Sequence, residues 1–225
     1  RDKTKFANDE EFTNFRALSG GNITKDYIYR GASAIDNLGK RVADVNTLLE
    51  KHGVKTLIDM ADTPETIEKM QAKEGHSAPY FDKLYAEGNV VALGMSTAFA
   101  SDEFKQKIAA GFREILARDG PFYIYCLEGK NRTGVAAILL EALAGASREE
   151  LIADYMQTYT NYYKITQKNN PEMFDRIVEL KFNEVLNAVS NGNPSGDIRS
   201  DVRSYLISGG MTEEEIDALT AKICS

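Results

Sequence analysis

A chain of 225 residues, 43% hydrophobic and 27% charged, can bury a full core without a disulfide scaffold, and its two cysteines, Cys126 and Cys224, lie far apart in sequence. A formal net charge of -7 excludes broad electrostatic attachment to nucleic acid or to an anionic membrane, both of which need clustered lysine and arginine. No apolar stretch approaches the length of a membrane span, so no membrane insertion is expected; the start at Arg1 rather than Met fits a soluble protein whose leader has been removed.

Strand-like and helix-like segments alternate along the chain, which predicts an α/β fold with a central, mostly parallel sheet flanked by helices. "DYIYRGAS" (26–33) reads as a strand leaving into a polar turn. In "NLGKRVADVNTLLEKHG" (37–53), Leu38, Val42, Val45, Leu48 and Leu49 share one helical face, and Gly53 is placed to end the helix. "VKTLIDM" (54–60) reads as a buried strand, "PETIEKMQAKEG" as a polar helix and "NVVALGM" (89–95) as another strand. Ser101 or Asp102 caps a long amphipathic helix in which Phe104, Ile108, Phe112 and Ile115 line one face. "PFYIYC" is the next strand, followed by the apolar helix "TGVAAILLEALAG". Ser147 to Glu150 then form a capping-box start. From about residue 166 the chain is mostly helical, with "NGNPSG" as a loop. This third is expected to extend a single domain covering residues 1–225, since too little chain follows that loop to fold alone.

The segment "YCLEGKNRTG" (125–134) carries the chemistry. A parallel strand ending in Cys126 and a helix starting near Arg132 put the thiol at the carboxyl edge of a sheet, where open α/β folds bind ligands. Loop amides and the helix N-terminus make an anion cradle, and the same field favours thiolate over thiol. Arg132, six residues after the cysteine, can fold back to grip two oxygens of a tetrahedral oxyanion. Gly129 allows a tight turn and Gly134 a close helix approach. Thr133 can donate its hydroxyl to the sulfur. His52 and His76 have no metal-ligand spacing and read as surface residues; Cys224 reads as inert.

The run "CLEGKNRTG" between a strand and an apolar helix resembles the signature loop of the cysteine-dependent protein tyrosine phosphatase superfamily. "NFRALSGG" (14–21), "YIYRGASAIDNL" (27–38), "VKTLIDMADTPE" (54–65), residues 131–163 and "VRSYLISGGMTEEEIDAL" (202–219) follow in order and resemble its atypical bacterial and fungal tyrosine/serine branch. The resemblance implies attack by Cys126 on phosphorus, a cysteinyl-phosphate intermediate, and a phosphate held by Arg132 and the loop residues Leu127, Glu128, Gly129, Lys130, Asn131 and Thr133. It implies no metal and no cofactor, and a substrate that is a phosphorylated protein or a small phosphomonoester. It also fits an exported bacterial protein.

The leaving oxygen needs a general acid. The branch commonly has an aspartate where this chain has Asn131, so the role falls first to Asp59, which matches the aspartate of the branch's Asp-Leu-Arg segment, then to Asp62, then to Asp102. Arg30 is expected near the site as a structural or substrate contact. Tyr125 stands where the family usually has histidine, which predicts a higher thiol pKa than usual, and Glu128 puts a carboxylate on the loop rim. Three functions follow: a protein tyrosine phosphatase with dual or phosphoinositide specificity, a catalytically weak module that binds phosphorylated ligands, and an inositol polyphosphate phosphatase, favoured by Lys130 and opposed by Glu128. Oligomeric state is left open.

Overall fold

The computed structural model describes residues 2–225. In chain order its regular elements are α1 (Asp9–Thr13), β1 (Arg16–Ala17), β2 (Ile28–Gly31), α2 (Val42–Lys51), β3 (Thr56–Asp59), α3 (Pro64–Gln71), α4 (Pro79–Ala86), β4 (Val90–Ala92), α5 (Asp102–Ala117) and β5 (Phe122–Tyr125). Then come α6 (Arg132–Leu143), α7 (Arg148–Tyr163), α8 (Pro171–Ile177), α9 (Asn183–Val189), α10 (Ile198–Ser208) and α11 (Glu213–Ile223), with a wide helical turn over Val178–Phe182 joining α8 to α9.

The five strands lie in the order β1-β2-β5-β3-β4, parallel except for β1, which pairs antiparallel with β2. Helices cover both faces, which is the mostly parallel α/β sheet expected. Because strand side chains alternate between faces, β5 sends Phe122 and Ile124 into the core under α5 and α6, while Tyr123 and Tyr125 enter a second core against α2 and α4. Every residue from Thr133 to Leu143 is buried, so α6 is a central helix, covered on all sides and apolar except for Thr133 and Glu141. The C-terminal helices α10 and α11 pack on α5 and α6.

Local chemistry explains the starts of these helices. Ser101 accepts a hydrogen bond from the Phe104 amide at the head of α5, and Ser147 with Glu150 forms a reciprocal capping box at α7. Among the described residues, no helix is long and apolar enough to cross a membrane.

Three expectations are corrected and one helix is added. Helix α2 starts at Val42, and Leu38 lies in a short turn capped by Asp36, 79% exposed instead of on the helix's apolar face. Helix α4 was not anticipated: it starts on Pro79 without a side-chain cap, and it buries only Phe81 and Leu84. His52 is no free surface residue, since its ring packs 4.9 Å from Tyr29 and 5.2 Å from Phe15. His76 is likewise held, 2.9 Å from the Asp82 carboxylate.

Candidate active site

Parallel register aligns the carboxyl ends of the strands in one row, Gly31 beside Tyr125 and Tyr125 beside Asp59, with Ala92 next. Cys126 follows directly on β5, the middle strand. It shares the sheet face of Ile124 and is 3% exposed. Both cysteines are free thiols.

Residues 127–131 turn the chain from β5 into α6, and their carbonyls are tied away from the turn one after another. Leu127 O accepts from the Ser33 amide at 3.2 Å, and Glu128 O from the Tyr162 hydroxyl at 2.9 Å. Gly129 O accepts from Arg30 Nη2 at 2.7 Å and from Asn14 Nδ2 at 3.2 Å. In a trans peptide the next N–H points opposite to the carbonyl, so outward carbonyls aim the amides of Glu128, Gly129 and Lys130 inward. Gly129 makes this possible: its φ is +65°, and a Cβ there would lie 2.2 Å from Gly31 O.

A buried network holds these outward donors. Arg30 is ion-paired through Nη1 with Asp154, and Arg16 Nε reaches the other Asp154 oxygen at 2.7 Å. Arg16 Nη1 also binds Asn14 Oδ1 at 2.7 Å, and Asn161 Nδ2 binds the same oxygen at 2.9 Å. Burial opposes ionisation of Asp154, yet the two guanidiniums hold its carboxyl below the ordinary value. None of Asn14, Arg16, Asp154 and Asn161 was anticipated from sequence.

The inward side has a different character. Burial pushes the Cys126 thiol up, but the Thr133 hydroxyl and amide, the Arg132 charge and the Lys130 amide outweigh it, and the net shift is downward. The Thr133 hydroxyl has no hydrogen bond of standard geometry and is left to the sulfur. Arg132 is anchored by Nη1 donating to Met95 O at 2.8 Å, while its Nε is buried with no partner. A lowered thiol, convergent amides and a guanidinium with an unpaired Nε are together suited to a tetrahedral oxyanion.

A family model described as "Tyrosine phosphatase family" matches residues 7–225. The chain belongs to the tyrosine phosphatase family. No curated protein matches it. Among solved structures, the core catalytic domain of the PP-IP phosphatase SIW14 from S. cerevisiae, in complex with citrate, aligns with 80% of this chain and 94% of its own length. The identity is 15% and the TM-score 0.44.

Within this tyrosine phosphatase domain the candidate acids occupy distinct environments. Asp59 is fully buried on the sheet face of Leu57 and Tyr125, opposite to that of Cys126. Its Oδ2 accepts from the Tyr125 hydroxyl at 2.8 Å, and its Oδ1 from the amides of Ala61 and Asp62 at 2.8 and 3.1 Å. Burial and the Asp62 charge push its carboxyl up to about 7. Asp62 stands in the turn before α3; its Oδ2 is buried and unpartnered. Burial and Asp36 raise its pKa, while contact with Asp59 and the Arg132 charge pull the other way. Asp102 is 85% exposed at the start of α5, 3.8 Å from Lys105. Arg30 is 1% exposed and bound to protein groups on the loop's outer side. Asn131 is exposed at the start of α6 without a capping hydrogen bond, and Lys130 lies on the rim, 3.2 Å from the Tyr163 hydroxyl and 3.4 Å from Glu128.

Proposed function

We propose that this phosphatase hydrolyses phosphomonoesters through a cysteinyl-phosphate, with phosphotyrosine the first substrate class to test and small phosphomonoesters the second. One observation carries the reading: the loop carbonyls are tied outward, so the amides and the Arg132 edge converge on a thiol whose pKa is lowered.

In the first step Cys126 Sγ forms a bond to phosphorus as the bond to the leaving oxygen breaks, and Asp62 passes its proton to that oxygen. Arg132 and the amides of residues 127–133 hold the equatorial oxygens throughout. In the second step Asp62, now a carboxylate, takes a proton from water as the water oxygen bonds to phosphorus. The S–P bond breaks, inorganic phosphate leaves, and Thr133 steadies the returning thiolate. Asp62 is assigned the acid role because its Oδ2 is unpartnered and it lies in the field of Arg132, whereas both Asp59 oxygens are engaged by protein donors.

The test is a pH–rate profile on p-nitrophenyl phosphate and a phosphotyrosine peptide. Cys126→Ser should abolish turnover on both. The acid must be protonated, so wild-type kcat should fall as pH rises through its pKa. Asp62→Asn should remove that alkaline limb and lower peptide kcat by about 10²- to 10⁴-fold. Undiminished turnover by Cys126→Ser would sink the covalent mechanism. Retention of the alkaline limb by Asp62→Asn and its loss in Asp59→Asn would move the acid role to Asp59. Vanadate binding with no wild-type turnover on either substrate would replace the enzyme by a phosphate-binding module.

A further inference from the structure

The phosphate clamp hangs on a single carbonyl. Among the described residues Arg132 hydrogen-bonds one acceptor, Met95 O, 2.8 Å from its Nη1, while its Nε is buried and unpartnered. The aim of the fork therefore depends on where Met95 stands. Met95 is 3% exposed and lies just past β4, in a segment stitched to the turn that follows β3. The amides of Leu93, Gly94 and Met95 donate to Asp59 O at 2.8 Å, Asp62 O at 2.9 Å and Met60 O at 2.9 Å. The clamp and the turn that carries Asp62 are thus docked on the same short segment.

One side chain reaches this segment from α5. Lys107 donates from Nζ to Gly94 O at 2.7 Å, and the same ammonium is 3.0 Å from Glu103, one helical turn away. Gly94 O and the Met95 amide belong to one peptide unit and point in opposite directions. Lys107 holds its carbonyl end and Met60 O its N–H end, so the plane is fixed at both ends immediately before the carbonyl that carries Arg132. A charged donor makes the stronger kind of hydrogen bond. The peptide also has no slack toward the β3 turn: Gly94 has φ +53°, and a Cβ there would meet Thr63 Cγ2 at 2.6 Å.

We propose that Lys107 is a positioning residue: by fixing the Gly94–Met95 peptide from α5, it holds the Arg132 fork in register with the 126–132 loop and with the turn of Asp62. It acts through Arg132 and touches no substrate. Transition-state stabilisation depends on donors fixed in place before charge develops, and small misplacements of such groups are costly in rate. The inference rests on the phosphatase reading, in which Arg132 holds the equatorial oxygens.

The experiment uses the full chain and two readouts, steady-state kinetics on p-nitrophenyl phosphate and the Kd of orthovanadate. Lys107→Met should lower kcat about tenfold with a smaller change in KM, and should weaken vanadate binding. Lys107→Arg, which can still donate to Gly94 O, should recover most of the loss, and Glu103→Gln, which leaves the tether in place, should match wild type. In an Arg132→Lys background Lys107→Met should cost less than about twofold further, because the group it positions is gone. The Lys107 side chain is 34% exposed, so Lys107→Met is expected to fold. Should it not, Gly94→Ala displaces the same peptide against Thr63 while keeping Lys107, and should lower kcat likewise. A Lys107→Met kcat within about twofold of wild type, or its full loss repeated in the Arg132→Lys background, would overturn the proposal. An equal loss in Glu103→Gln would also overturn it and assign the effect to the ion pair on α5. If wild type binds vanadate without turning over p-nitrophenyl phosphate, the catalytic reading alone fails, and the same comparisons decide the role of Lys107 through vanadate Kd.

Discussion

The outer and inner sides of the 126–132 loop are a few ångströms apart and differ in how fully their polar groups are paired. On the outer side Arg16, Arg30, Asp154 and Asn14 answer one another and the loop carbonyls, with contacts between 2.7 and 3.2 Å where Arg16 meets Asp154 and Asn14, and where Arg30 and Asn14 meet Gly129. On the inner side Arg132 Nε and Asp62 Oδ2 are buried without partners, and the Thr133 hydroxyl turns to the Cys126 sulfur. Buried polar atoms cost free energy when unpaired, so a cluster of them beside a satisfied network marks where a ligand completes the hydrogen bonding. The satisfied side builds the shape, and in the proposed mechanism the unsatisfied side takes phosphate.

Breaking the outer side should have the largest effect on stability. Arg30→Met leaves Asp154 with one guanidinium fewer and frees Gly129 O, and loss of one partner from a buried ion pair costs about 3–5 kcal/mol. Urea unfolding with an unchanged m-value measures it; a loss under about 1 kcal/mol would mean that Arg16 and Asn14 hold the loop without Arg30. Breaking the inner side should do the reverse. Arg132→Lys removes the pre-aimed fork and should lower kcat by about 10²- to 10³-fold, with a much smaller change in unfolding free energy than Arg30→Met. Equal stability losses in the two variants would erase the distinction between the sides.

The same division governs what the sequence made legible. Cys126, Gly129, Arg132 and Thr133 are close neighbours in the chain, and their spacing alone implies a shared loop. The outer network joins residues 14, 16, 30, 129 and 154, partners separated by up to 138 positions, and no local pattern links Asn14 to Gly129 or Arg16 to Asp154. The parallel sheet was readable because "VKTLIDM" and "PFYIYC" are apolar runs flanked by turns. Leu38 was misplaced because it keeps helical spacing to Val42 while Gly39 and Lys40, with Lys40 at φ +56°, break the helix between them. The strand alternation that sends Asp59 to the Tyr125 face was present in "TLIDM", but which face held Cys126 depended on how β3 and β5 paired.

Tyr125 joins the two sides from below. Its hydroxyl donates to Asp59 Oδ2, while Asp59 Oδ1 fixes the amides of Ala61 and Asp62 and thereby the turn that carries the assigned acid. Tyr125→Phe leaves a buried carboxyl oxygen unanswered, which should destabilise by about 1–3 kcal/mol. It also removes an interaction that lowers the Asp59 pKa, so Asp59 should hold its proton to higher pH. If Asp59 positions Asp62, the alkaline limb of kcat should shift in this variant. A stability loss with an unmoved pH profile would reduce Tyr125 to packing.

The satisfied side has two exceptions, Arg30 Nε and Glu141, and Glu141 gives the last test. Its Oε1 accepts from the Gly20 amide at 3.0 Å, but Oε2 is buried and unpartnered; burial and the Asp154 charge push its carboxyl up to about 8. An unfolded glutamate titrates near 4.3, so between that value and about 8 the folded state holds the extra proton, and stability falls as pH rises. Asp59, pushed up to about 7, contributes with the same sign over a narrower range. Glu141→Gln cannot ionise, so its unfolding free energy should decline less steeply with pH than that of wild type. The difference in slope should be at most about 1.4 kcal/mol per pH unit between pH 5 and 8. Parallel slopes would mean that Glu141 ionises in the fold near its unfolded value, held there by Arg16 and Arg30, and would make it a full member of the satisfied network.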